Sequence, residues 1–300
     1  MIIPTLARPE RVSSLIRAID SVVSQRGTQG VPLVIVNGPF ATAEVRAHLA
    51  RRRDIRVVTL EEAGLPLALK TGRATVDTPH FAVLDDDDEL LPGALGTRLQ
   101  ALDEALEADV VVTNGYLQRF NRRDLNIEDF GQVQADPLRA LLRQNWLPPC
   151  AGLFRTHAIT LDFFEEMPAY REWTYLGLRL ALERTIQFVS RPTFIYRTDT
   201  PGSLSKSKAY CLAGSRAMAR ILELELPRDV RTMLRAHLTA GLHSAAEWER
   251  RDGNYLAAWS WHLRCLAGFR GWRHLTYTRH LVIGSARRLA TTAGWPGNSL

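Results

Sequence analysis

Phe81-Ala82-Val83-Leu84-Asp85-Asp86-Asp87-Asp88-Glu89-Leu90-Leu91-Pro92 decides how the chain is read. Four apolar residues run directly into five consecutive acids. The apolar run has the length and composition of a buried parallel strand, and Pro92 suits the first turn of a helix. A strand that ends in carboxylates puts them at its C-terminal edge, where open α/β sheets bind ligands. Carboxylates held so close repel one another. Two arrangements relieve them: full solvation, or a hard cation such as Mg²⁺ or Mn²⁺ among their oxygens. A solvated acidic turn is the plainer account of a bare acidic run. The buried-looking strand directly before it favours the cation.

Upstream, the pattern repeats. Ile2-Ile3-Pro4 reads as a short first strand, so short that the natural chain is open to starting before Met1. Val12, Leu15, Ile16, Ile19, Val22 and Val23 recur at helical spacing between Pro9 and Gln25. Leu33–Val36 is a second buried strand, stopped by Asn37-Gly38-Pro39. Thr42 caps a helix to about Arg52, Ile55–Leu60 is a third strand, and a short helix covers Leu67–Ala74. The order β-α-β-α-β-α-β with short connections predicts a parallel sheet with right-handed crossovers. Downstream, Leu95, Leu99, Leu102 and Leu106 line one helix face and Val110–Thr113 is a fifth strand. Residues 116–136 are polar and ambiguous, with room for one more strand at Tyr116–Phe120. A helix is expected over Leu138–Gln144, a strand over Gly152–Arg155, a helix over Glu172–Glu183, and strands near Ile186–Val189 and Thr193–Tyr196.

Beyond the Gly/Ser/Pro loop Thr198–Ser207 the pattern is all helix, giving a boundary at 207/208. Pro227 starts one helix, Asp252-Gly253-Asn254 breaks the chain and Tyr255 starts the next. From Lys206 to the end there are 15 Lys/Arg against 6 Asp/Glu, while the whole chain carries +6. From Tyr255 onward there is no Asp or Glu, but six Arg and three His. In the last helix Trp272, Leu275, Val282, Ala286 and Leu289 share a face, with Arg273, His280 and Arg287 on another. Such a helix suits an anionic membrane surface; a helical hairpin packed on the main domain with its basic face in water is the plainer alternative. No run is long and apolar enough to span a bilayer, and no signal-peptide pattern opens the chain. Cys150, Cys211 and Cys265 fit neither a disulfide framework nor a zinc pattern, which points to a reducing, cytoplasmic setting.

Four segments, in order, resemble a known family. Ile2-Ile3-Pro4-Thr5 with Arg8-Pro9-Glu10-Arg11 resembles the opening of family 2 glycosyltransferases of the GT-A fold. Gly64, then Ala68–Gly72, then Phe81–Asp88 with Pro92, resembles the family's helix and strand-end DxD motif, which Asp85-Asp86-Asp87 satisfies. Arg171-Glu172-Trp173 with Leu178–Ala181 resembles its acceptor-site helix. Tyr196–Ser205 resembles its closing loop. The resemblance covers about residues 1–207. It implies a Rossmann-like, mostly parallel α/β sheet flanked by helices, with residues 1–207 as the nucleotide-sugar and acceptor domain and an all-helical region at 208–300.

The resemblance also implies a chemistry. A nucleotide-sugar donor departs as a nucleoside diphosphate, whose growing charge a carboxylate-held Mg²⁺ or Mn²⁺ stabilises. A carboxylate base takes the proton of the acceptor hydroxyl, and the anomeric carbon inverts. By position, Pro4, Thr5, Arg8, Asn37, Lys70, Asp85, Asp86 and Arg197 are expected to bind the nucleotide sugar. Asp85, on the ribose or the metal, Asp87 and Asp199 are the expected metal ligands. Asp88 is either structural or supports the acceptor side. The expected acceptor is a sugar on a surface glycan or a lipid-linked saccharide, met peripherally at the cytoplasmic face of a membrane.

Three residues depart from the family pattern. Its acceptor helix usually opens Glu-Asp with the aspartate as base; here it opens Glu172-Trp173, so either Glu172 is the base or the base is missing. Asp199 stands near the place of a metal-reaching histidine. The second strand ends in Asn37 rather than aspartate. The missing aspartate keeps open a catalytically inactive scaffold or glycan-binding protein. A sugar-1-phosphate nucleotidyltransferase is disfavoured by the lack of a Gly-rich phosphate loop, and nucleic-acid binding by the lack of any recognised module.

Overall fold

The structure is a computed structural model that describes residues 1–200 and 207–292, the last four by backbone alone. Pro201–Ser205 of the expected closing loop and the side chain of Leu289 lie outside the described residues. The chain divides into two compact units, Met1–Ser203 and Leu204–Leu300.

The first unit runs β1 (Ile2–Thr5), α1 (Val12–Val23), β2 (Leu33–Asn37), α2 (Ala43–Arg51), β3 (Arg56–Leu60), α3 (Leu65–Thr75), β4 (His80–Phe81) and β5 (Glu89–Leu90). It continues with α4 (Ala94–Glu104), β6 (Val110–Arg119), β7 (Arg122–Leu125), α5 (Phe130–Ala135), α6 (Pro137–Arg143), β8 (Gly152–Arg155), α7 (Asp162–Glu165), α8 (Glu172–Glu183) and β9 (Ile186–Arg197). This is a mixed α/β fold built on two sheets. In the first, β1, β2 and β3 pair in parallel in that order. β1 and β2 are wholly buried, as mostly apolar strands covered on both faces must be; the polar residue of each, Thr5 and Asn37, is its last.

The apolar run before the acids is the seam between the sheets. Ile2 N–H donates to Ala82 O at 2.8 Å and Leu84 N–H to Ile2 O at 3.0 Å, so this segment continues the parallel sheet beside β1. At its start, Phe81, with His80 before it, pairs antiparallel with β8. The second sheet has the order β4-β8-β6-β9-β5 and is mixed: β6 is parallel to β9 and antiparallel to β8, and β7 folds back on β6. The ambiguous stretch 116–136 therefore holds the end of β6, its hairpin partner β7 and then α5. The two expected strands near 186–189 and 193–196 are one strand with register shifts. These differences share a cause: a strand that changes partners along its length loses a single clean alternation.

Two glycines fix the close packing around β1 and β2. Gly72 of α3 lies so near β1 that a Cβ there would meet Ile2 Cγ2 at 2.5 Å. Gly38, just after β2, has φ +91°, a left-handed turn that glycine adopts without steric cost.

The second unit is helical: α9 (Lys208–Ile221), α10 (Arg228–Arg251), α11 (Tyr255–Leu266), a 3₁₀ segment Gly271–Tyr277 and α12 (Thr278–Thr292). Pro227 precedes α10, and Asp252-Gly253-Asn254 turns the chain, with Asn254 N–H donating to Glu249 O at 2.8 Å. The single last helix expected from 272 onward is broken: Trp272 and Leu275 fall in the 3₁₀ segment and Val282 in α12. Trp272 is 66% exposed and Leu275 and Val282 are more than half exposed, whereas Leu281 is fully buried. Among the described residues no helix is long and apolar enough to cross a membrane.

Candidate active site at the acidic strand end

The strand topology delivers Thr5, Asn37 and Asp85 to the C-terminal ends of three adjacent parallel segments. This is the edge at which open α/β sheets take ligands. Asp85, Asp87 and Asp88 each offer a carboxylate oxygen, and these oxygens all lie within 4.8 Å of one another. Burial pushes the Asp85 carboxyl well above the ordinary range, and the charges of Asp87, Asp86 and Glu172 push it further, against Arg11. Asp88 is fully buried. Its carboxyl is also pushed well up, first by burial and then by Asp85 and Asp87. Asp88 Oδ1 accepts from the Arg197 backbone N–H at 2.9 Å, while Oδ2 is buried with no hydrogen-bond partner.

An all-oxygen donor set with one orphaned buried oxygen and mutually repelling charges is the environment a hard divalent cation satisfies. The residues present fit Mg²⁺ or Mn²⁺ on that ground. The family resemblance pairs Asp85 and Asp87 with Asp199. The structure groups them with Asp88 instead. Asp199 Oδ2 accepts from Phe120 N–H at 2.5 Å and so closes the turn between β6 and β7. That contact joins the end of β9 to the β6–β7 turn across 79 positions.

Asp86 faces the first loop. Its Oδ2 accepts from Thr5 Oγ1 at 2.6 Å, and its Oδ1 accepts from Arg11 Nη2. The same Arg11 nitrogen lies 3.2 Å from Asp87 Oδ2. Thr5 Oγ1 in turn accepts from Ala7 N–H at 2.9 Å, which holds buried Ala7 at φ +49°. A non-glycine residue held in that region marks a loop whose shape is fixed by its surroundings.

Glu172 opens α8 and is 95% buried. Its Oε1 accepts from Tyr170 N–H at 2.9 Å, and burial raises its carboxyl above the ordinary value. Trp173 follows it, its indole Nε1–H buried without a partner. On β9, burial first and then the charges of Asp85 and Asp88 raise the Tyr196 hydroxyl above its ordinary value. Behind the acids, buried Arg98 donates to Cys150 O at 2.5 Å and to Thr193 Oγ1 at 2.8 Å; burial lowers it to about 10. The Cys150 thiol is pushed well up, by burial first and by Asp88 next.

The other expected residues are distributed as follows. Pro4 is buried within β1, opposite Ile35 of β2. The Arg8 guanidinium stacks over the Phe40 ring at 4.8 Å, so the loops after β1 and β2 meet there. Asn37 Oδ1 accepts from Gly64 N–H at 2.8 Å and so ties β2 to the start of α3. Lys70 is paired with Glu165 at 3.7 Å rather than with an acid of the cluster. The Arg197 guanidinium is engaged by Glu89 at 2.6 Å; what it gives the cluster is its backbone N–H. Arg11 and Tyr196 lie within the family-like segments but carry no pattern that marks them, and Cys150 carries no signal at all. A cation is needed somewhere to offset five consecutive acids. No spacing rule says which of 38 Lys/Arg supplies it.

A family model described as Glycosyl transferase family 2 matches residues 1–161. Among solved structures, the fold is similar to that of S. aureus TarS. The crystal structure of TarS residues 1–349 in complex with UDP-GlcNAc aligns with TM-score 0.57 and 13% identity, covering 85% of this chain and 74% of that one. The complex with UDP gives 0.52 and 13%, covering 85% and 73%. A longer TarS structure gives 0.55 and 16%, covering 85% of this chain and 44% of that one. No curated protein matches the sequence.

Proposed function

The chain belongs to glycosyl transferase family 2, and from that premise we propose an inverting, metal-dependent glycosyltransferase acting on a nucleotide-sugar donor. The observation that carries the reading is the group of Asp85, Asp87 and Asp88 at the sheet's C-terminal edge, with Glu172 near enough to act on Asp85 electrostatically. Asp85, Asp87 and Asp88 would hold Mg²⁺ or Mn²⁺. Bound there, the ion supplies positive charge to the departing diphosphate. Thr5, Asn37 and the Arg8–Phe40 stack flank the donor side.

Glu172 is the base. Its buried, raised carboxylate accepts the proton of the acceptor hydroxyl as that oxygen bonds to the anomeric carbon from the face opposite the leaving diphosphate. The carbon–diphosphate bond breaks on the other side, which inverts the centre. Uridine diphosphate sugars are the first donors to test, because the similar TarS structures hold UDP-GlcNAc and UDP. The proposed acceptor is a saccharide on a surface glycan or a lipid carrier. The basic helical region from 208 would meet an anionic membrane from the cytoplasmic side, with residues 1–207 carrying the chemistry.

A calorimetric panel of UDP, GDP, dTDP and CDP, each with and without Mn²⁺, tests this. One nucleotide is expected to bind only with metal, and Asp87→Ala is expected to abolish that binding. Absence of binding under every condition would sink the reading. The partnerless indole of Trp173, where the family usually places its aspartate, favours a second reading: an inactive scaffold or glycan-binding protein. Metal-dependent hydrolysis of the donor by the wild type would count against it.

A further inference from the structure

Arg11 occupies an unusual place beside the acids. One guanidinium nitrogen is shared between Asp86 Oδ1 and Asp87 Oδ2, the latter at 3.2 Å. Asp87 is also one of the three carboxylates whose oxygens converge, so two cations have a claim on it. Asp86 is not in that group. It is turned to Thr5 and Arg11 and is almost fully buried. Arg11 Nε is itself buried without a hydrogen-bond partner, so the side chain is held from its Nη2 end by the two acids. A guanidinium cannot lose its proton, so this positive charge is permanent.

We propose that Arg11 is a built-in counter-cation that competes with the divalent ion for Asp87, and that Asp86 is the anchor that holds Arg11 partly off it. Arg11 and Asp86 are thus positioning residues that set how tightly the site takes its metal. The inference rests on the reading of Asp85, Asp87 and Asp88 as a cation site. In the metal-free protein Arg11 offsets the repulsion within the acidic run. When a divalent ion arrives, Asp87 is transferred to it while Asp86 keeps the guanidinium. Without Asp86, Arg11 would settle wholly on Asp87 and the ion would have to displace it.

Mn²⁺ titration of the full chain by calorimetry, with no donor or acceptor present, reads this directly. Removing a positive charge so near the site predicts that Arg11→Gln binds Mn²⁺ about tenfold tighter. Asp86→Asn predicts weaker binding, by about tenfold as well. The double variant separates anchoring from plain charge: the Asp86→Asn effect should largely vanish once Arg11 is Gln. Arg11→Lys keeps the charge but puts a more strongly hydrated ammonium where the Arg11 Nη2 meets both carboxylates, so it should fall between wild type and Arg11→Gln. It serves as the readout if Arg11→Gln melts at a much lower temperature. Unchanged or weaker Mn²⁺ binding in Arg11→Gln, or an equal Asp86→Asn effect in both backgrounds, overturns the inference while leaving the cation site standing. If the wild type takes no Mn²⁺, the cation site and the inference fall together.

Discussion

Burial holds the Glu172 carboxyl above the ordinary carboxylate range, and Tyr170 N–H fixes its orientation. For a base this has two readable consequences. Glu172→Gln keeps an acceptor for Tyr170 but cannot take a proton, so kcat should fall by about 10²–10⁴-fold while donor binding is retained. The wild-type rate should also decline on the acid side above the ordinary glutamate value of 4.5. The stability effect has the opposite sense. A raised native value means that the folded state binds more protons than the unfolded one as pH rises from 4.5, so stability is lost through that window. Glu172→Gln escapes this loss. Its melting temperature relative to wild type should therefore increase from about pH 5 to about pH 8, and a gap that shrinks would contradict a buried, raised Glu172.

The site depends on how closely helix and strand approach one another. α3 crosses β1 at Gly72, where any Cβ would press on Ile2, and Ile2 carries both backbone bonds to the segment that ends in Asp85. Overpacking a buried contact of this kind costs about 1–3 kcal/mol. Gly72→Ala should lose that much in a urea titration with an unchanged slope. It should also weaken Mn²⁺ binding, because the displaced β1 carries the acidic strand end with it. Loss of stability with unaltered metal affinity would show that α3 supports the fold but not the site.

On the scale of the molecule, charge is segregated. The helical unit is strongly basic, carries no Asp or Glu from Tyr255 onward, and leaves Trp272, Leu275, Val282 and Leu263 exposed. Apolar side chains with basic neighbours and no acids suit the interface of an anionic bilayer, where each Lys or Arg adds about 1 kcal/mol near the surface. The full chain should sediment with phosphatidylglycerol-containing vesicles at low salt and be released as ionic strength approaches about 0.5 M. Trp272→Ala and Arg273→Glu should each weaken retention. Failure to sediment at low salt would leave this surface to another partner.

By itself the sequence determined most of the elements and the acidic strand end on which the proposed chemistry rests. Apolar periodicity is local, so α8 spans Glu172–Glu183 as its pattern predicts, and the run Phe81–Leu84 is buried against β1 as four apolar residues before a charged edge require. Where periodicity failed, at 116–120 and at 272, the chain changes partner or helix type within a few residues, and a local pattern carries no record of that. Partner choice belonged to the tertiary structure. Arg11 reaches Asp86 across 75 positions, the Arg197 backbone reaches Asp88 across 109, and Asp199 is taken by Phe120 across 79. Ion pairs and single hydrogen bonds have no period or spacing. Which arginine meets which acid was decided only when the parallel and mixed sheets brought their strand ends together.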